Sequence, residues 1–163
     1  MGTFNAKILA EFQPPRKWKL GRDLTYSTKD LMGDEIKALQ DIGVKVNRDT
    51  DISPVNITVP TEFMTDLAST PRALWAFIAP FDVARAAIVH DLLYKTIRQY
   101  RWNKGDIEED KTLIKKAKVV ADKVFLLAMK DAQPKVAGWK IWSAWKAVDL
   151  FGRWSIVPNE KNI

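Results

Sequence analysis

The chain has no cysteine, a single histidine and no glycine between Gly43 and Gly105. Without cysteine there is no disulfide framework, no thiol nucleophile and no Cys-based metal site. With one histidine as well, a zinc centre is poorly supported. The glycine gap removes a glycine-rich phosphate cradle from the central region. No G-x-S-x-G is present, so there is no nucleophile elbow. Long hydrophobic runs are missing too: the longest, Ala73 to Phe81, carries Pro80 and is far short of the ~20 residues that span a bilayer. The opening M-G-T-F-N-A-K-I-L-A-E-F lacks the order of a secretory signal, and Ala6 stands where myristoylation needs Ser or Thr. The expectation is a soluble protein without a transmembrane segment, suited to a reducing cytosol or a virion built there.

What is present bounds the answer from the other side. With 163 residues, 47% of them hydrophobic, and seven tryptophans, the chain fits a single domain, 1–163, with a real core. A net charge of +6 favours acidic partners: nucleic acid, anionic lipid or an acidic protein face. The lysines are spread along the chain, and no helix-turn-helix, zinc-finger or RNA-binding-sheet signature accompanies them. Nucleic acid is therefore not expected as a specific ligand.

Residues 1–60 read as strand-rich. Phe4 to Phe12 alternates until Pro14 and Pro15; Trp18 to Leu20 and Leu24 to Tyr26 look like one strand broken near Gly21; Val55 to Val59 alternates up to Pro60. Asp34 to Gln40 suits one or two helical turns, and Val44 to Val46 an extended segment. The signature loop 61–72 is rich in hydroxyls, with Ser69 able to cap a short helix opened by Pro71 and stopped by Pro80. Residues 73–152 read as helical. One helix, capped by Asp82 and running to about Tyr100, is apolar on most of its circumference and should be central. A second spans Asp106 to Asp131, acidic at its start and basic after it, with an apolar stripe of Ile114, Val119, Phe125, Leu126 and Met129. The third, Pro134 to Phe151, carries Trp139, Trp142 and Trp145, a spacing that suits core packing; residues 153–163 form a loose tail. The fold class is α+β: a small N-terminal antiparallel sheet packed with a C-terminal bundle of three to four helices.

Chemistry concentrates between Val59 and Tyr94. His90 and Tyr94, four apart, share one helix face with Val83, Ala86, Ala87 and Ile97. A polar ring on an apolar face needs a partner, and Asp122, itself on an apolar face, is the candidate if the two helices pack antiparallel. Such a carboxylate fixes the imidazole tautomer, which serves a general base, a metal ligand or a purely structural histidine alike. Asp91 points away from His90 and suits an ion pair with Arg72 or Arg85, or a hard cation such as calcium. Asp66 and Ser69 are explained by turn or cap geometry without any chemistry.

The ordered set Ile57-Thr58-Val59-Pro60, Phe63, Thr65-Asp66-Leu67-Ala68-Ser69-x-Pro71-Arg72, His90-Asp91-x-x-Tyr94 and Ala121-Asp122-x-x-Phe125 resembles a bacteriophage-encoded family of unknown function. The resemblance covers about residues 55–130. It implies a phage or prophage origin and other phage proteins as partners. The two helices are also similar to the catalytic pair of phospholipases A2. That likeness implies His90 activating water, Asp91 holding calcium, Asp122 orienting His90 and Tyr94 supporting the pair, with the Thr65–Asp66 loop replacing the missing glycine-rich calcium loop. Two readings follow. The leading one is a phage protein acting by association, a virion component or assembly accessory of the tail or neck region, in which Thr65, Ser69, Pro71 and Arg72 form a structural loop. The alternative is a hydrolase with His90 as base, assisted by calcium at Asp91 and Asp66, acting on lipid or another ester or amide of the host envelope. No other cofactor is expected.

Overall fold

The alternating stretch Val55–Val59 (β6) is the centre of a four-stranded antiparallel sheet ordered β1-β4-β6-β5, with β1 at Thr3–Phe4, β4 at Leu24–Thr28 and β5 at Val46–Asn47. A computed structural model of the chain describes residues 1–15, 17–65, 80–104, 110–133 and 135–163, without the side chains of 80–82. Register follows the pleat: Leu24, Tyr26 and Thr28 face Val59, Ile57 and Val55 across the pair and are all buried. The other face carries cross-strand hydrogen bonds, Thr25 Oγ1 to Thr58 Oγ1 at 2.9 Å and Ser27 Oγ to Asn56 Oδ1 at 2.6 Å.

A second antiparallel sheet has the order β2-β3-β7, from Ala10–Gln13, Lys17–Leu20 and Met64–Thr65. The α+β class is as expected, but the strand-rich part divides between two sheets rather than one. Phe4 to Phe12 is two strands, and the stretch broken near Gly21 sends Trp18 to one sheet and Tyr26 to the other. Between β4 and β5 in the chain, the helix Gly33–Asp41 (α1) ends before Gly43, whose φ of 97° is costly for any side chain. Gly43 N donates to Gln40 O and Val44 N to Leu39 O, closing the helix end in a Schellman arrangement.

Three further helices follow among the described residues: α2 (Pro80–Lys104), α3 (Lys111–Lys130) and α4 (Gly138–Ser155). The short helix expected over 72–78 and the acidic opening at 106–109 lie outside the described residues. The described part of α2 begins at Pro80, two residues before the Asp82 expected to cap it, and the helix that Pro80 was expected to stop lies outside the described residues. As the all-round apolar pattern predicts, α2 is central: Ile88, Val89, Leu93 and Ile97 are completely buried, each contributing roughly 2 kcal/mol. Tyr100 meets Asp110 whereas His90 meets Asp122 and Phe125, so α2 and α3 run antiparallel.

Two sequence expectations fail on α3 and α4. Val119 is exposed; the seam of α3 is Ile114, Ala117, Lys118, Ala121, Asp122, Phe125 and Met129. Trp139 and Trp142 are also exposed, and Trp145 is only half-buried. Residues three apart precess about 60° per step around a helix, so the run turns away from the buried stripe, with Trp145 at its edge and Trp142 and Trp139 beyond it. Ile141, Ala144 and Gly152 take the buried stripe of α4 instead. Nor is the tail loose: Arg98 Nε donates to Asn162 O at 2.7 Å, Arg101 Nη1 to Ile156 O at 2.9 Å, and Ile156 is buried.

Candidate functional site

Asp122 is the hub. Its Oδ1 accepts from His90 Nε2 at 3.1 Å and from the Tyr94 hydroxyl at 2.7 Å, while Oδ2 accepts from Lys118 Nζ at 2.6 Å. Lys118 also donates to Asp149 O at 3.3 Å. All four side chains are nearly inaccessible. A buried carboxylate costs several kcal/mol unless it is compensated, and here three donors compensate it. Burial opposes ionisation of Asp122, but the hydrogen bonds from His90 and Lys118 outweigh it and hold the carboxyl below its usual range. An ionised Asp122 can only accept. Nε2 of His90 must therefore carry its proton, leaving Nδ1 as the nitrogen with the free lone pair.

Burial is also the main influence on His90, and it lowers the imidazole pKa. The Asp122 carboxylate works in the opposite direction, while the charges of Lys118 and Arg98 add to the lowering. The ring is thus neutral at pH 7, packed between Tyr94 and Phe125 with centroids 4.0 and 4.9 Å away. Tyr94 is held by close approach: Gly152 of α4 lies so near that a Cβ there would overlap the Tyr94 hydroxyl and crowd Lys118 Cε. Only glycine leaves that hydroxyl on Asp122.

The network is not sealed. His90, Asp91 and Tyr94 line a cleft of ≈ 440 Å³ between α2, α4 and the C-terminal residues. Lys17, Lys95, Arg98 and Lys161 also line it, an excess of positive charge that suits an anionic occupant. Asp91 is on the neighbouring part of the wall, where its Oδ2 accepts from the buried Thr65 hydroxyl at 2.5 Å, tying β7 to α2. Arg85, one partner expected for Asp91, instead donates to Gln133 O at 2.6 Å and lies over the Phe4 ring. The other, Arg72, lies outside the described residues, as do Asp66, Ser69 and Pro71.

The helix pair therefore brings together His90, Tyr94 and Asp122 as the sequence led us to expect, with Asp91 and Thr65 alongside. Lys118 and Gly152 were not foreseen. Lys118 carried a signal, standing four residues before Asp122 on the same helix face; Gly152 carried only its small size. Among the described residues no three of His, Cys, Asp or Glu converge on a cation site, and Asp66, expected to join Asp91 in holding calcium, lies outside them. No step below is routed through it.

Residues 42–148 match the family described as protein of unknown function, DUF1353. The chain belongs to the DUF1353 family. The matched segment contains His90, Tyr94, Lys118 and Asp122, together with Thr65 and Asp91. No curated protein and no solved structure matches the chain. Among the described residues no helix of this DUF1353 protein is long and apolar enough to cross a membrane.

Proposed function

We propose that this DUF1353 protein is a hydrolase of anionic esters or amides, with His90 as general base. One observation carries the reading: a neutral histidine, its tautomer fixed by an ionised carboxylate, lines a cleft rimmed by cations. Nδ1 of His90 accepts a proton from a water whose oxygen attacks the substrate carbonyl. The imidazolium so formed is stabilised by Asp122 and returns the proton to the leaving oxygen or nitrogen as the bond breaks. Tyr94 and Lys118 keep Asp122 ionised and in place. The cations of the cleft wall suit an envelope phospholipid as substrate.

The test is hydrolysis of anionic and zwitterionic phospholipids and of soluble aryl esters by the purified protein. His90→Gln should keep the fold and lose activity by about 10²–10⁴-fold. Wild-type protein without turnover on any of these substrates would sink the reading.

A second reading is favoured by the exposed Trp139 and Trp142, which present a docking face rather than a core. In it the protein is phage-encoded and acts by association, as a virion component or assembly accessory of the tail or neck, and the Asp122 hub is scaffold. Support for a phage origin is the ordered motif from Ile57 to Phe125. Here His90→Gln would lower stability yet leave incorporation into particles intact, which a particle-assembly assay reads directly.

A further inference from the structure

Half of the large hydrophobic side chains exposed among the described residues lie between Trp139 and Ile163. On α4, Trp139, Trp142, Leu150 and Trp154 fall within about 60° of one line along the helix, at 100° per residue. All four are more than half exposed. Lys146 and Arg153 lie in the same arc. Arg153 places its guanidinium 4.2 Å from the Trp154 ring centroid, and Lys146 reaches 5.3 Å from that of Trp145. The sole acid on α4, Asp149, is ion-paired with Lys146 at 3.3 Å.

We propose that this outer face of α4 docks on an anionic lipid bilayer, lying along the interface with its tryptophans at headgroup depth. Indoles prefer that depth because the ring is apolar and the N–H still finds an acceptor. Lys146 and Arg153 bury their aliphatic stems beside the rings and present charge to lipid phosphates. The net charge of +6 adds long-range attraction to a negative surface. A second copy of the chain is a poorer occupant, since a two-fold contact through this face would set its cations against their own counterparts. Phe151, 54% exposed, lies between this face and the cleft, which it lines. The docked protein thus holds the cleft beside the headgroups. Docking stands whether or not His90 catalyses hydrolysis.

Binding of the full chain to sedimented vesicles of phosphatidylglycerol with phosphatidylcholine, against phosphatidylcholine alone, tests this. The anionic vesicles should bind it, shift its tryptophan emission to the blue, and release it as salt rises. Trp139→Ser with Trp142→Ser should weaken partitioning at least roughly tenfold, and Lys146→Gln with Arg153→Gln by roughly thirtyfold on anionic vesicles only. These side chains are exposed, so thermal unfolding should be unchanged and serves as the control. His90→Gln should bind like wild type, which separates this proposal from the hydrolase reading. Absence of binding to anionic vesicles, binding indifferent to the tryptophans, or a dimer that the tryptophan substitutions dissolve in its place would overturn it.

Discussion

Two carboxylates, one within α3 and one capping its C-terminal end, are built alike and put to different ends. Asp122 and Asp131, nine residues apart, each accept a tyrosine hydroxyl at 2.7 Å, from Tyr94 and Tyr26. Asp131, at the C-terminal end of the helix, also accepts Gly2 N at 2.7 Å, so it staples the first strand and the sheet to the bundle. It does so where the helix dipole disfavours a negative charge. Asp122 adds His90 and Lys118 and stands beneath a cleft. A tyrosine hydroxyl held on an aspartate is therefore no sign of chemistry by itself. What separates the two is the neutral base on one and the backbone amide on the other.

Substitution should widen that difference. Asp122→Ala leaves Lys118 as a buried unpaired charge and orphans two more donors, and should cost about 3–5 kcal/mol, enough to threaten folding of a domain this size. Asp131→Ala strands only neutral donors in a partly exposed site and should cost about 1–3 kcal/mol. Denaturant unfolding of both variants checks the order, and equal losses would mean that Lys118 finds solvent or another partner. Gly152→Ala belongs to the first site alone. It should displace Tyr94 and cost about 1–3 kcal/mol through overpacking, whereas an alanine of wild-type stability would show that α4 shifts to make room.

The acid limb of stability separates the two sites by pH. His90 has a folded pKa below its ordinary 6.5. Between the two values the unfolded chain holds a proton that the folded chain does not. Stability is thus fully present above about pH 7 and declines as pH falls through 6.5, by at most about 1.4 kcal/mol per unit. Asp122, its pKa lowered from 3.8, adds a further loss in stronger acid. His90→Gln should flatten the slope between about pH 7 and 5, since the chain has no other histidine. At the alkaline end the sites behave alike. Tyr26 and Tyr94 both have raised pKa values, chiefly through burial, so both lose stability as pH climbs above 10.

How far the two sites were legible differs for physical reasons. His90, Tyr94 and Asp122 are polar residues at helical spacing on apolar stripes, and burial forces such groups to find one another. Lys118 was hidden because Lys115, Lys116 and Lys118 read as one solvated run, yet a helix turns the third of them inward. Asp131 was not singled out at all, because its partners Tyr26 and Gly2 are more than a hundred residues away in sequence and no periodicity encodes such pairing. The same limit explains the strands: β1 pairs with β4 and β3 with β7, contacts that local alternation cannot predict. The tryptophans of α4 misled for the opposite reason: their regular spacing suggested a core stripe, but the buried side of the helix is the one that carries Ile141, Ala144 and Gly152.

The smallest expected effect is also the most specific to the Asp122 site. Lys118 lowers the His90 pKa by direct repulsion, and it also neutralises the carboxylate that would otherwise favour imidazolium. Lys118→Met removes both influences while keeping much of the side-chain volume. The His90 pKa should then rise toward its ordinary value, although burial still holds it down. NMR titration of the single imidazole reads this without assignment ambiguity, and the same spectra report the proton on Nε2 in the wild type. A pKa that stays put would mean Lys118 is electrically silent and only packs. A proton on Nδ1 instead would leave Asp122 without its donor from His90, and the Asp122 site would then be no more than a second staple, like Asp131.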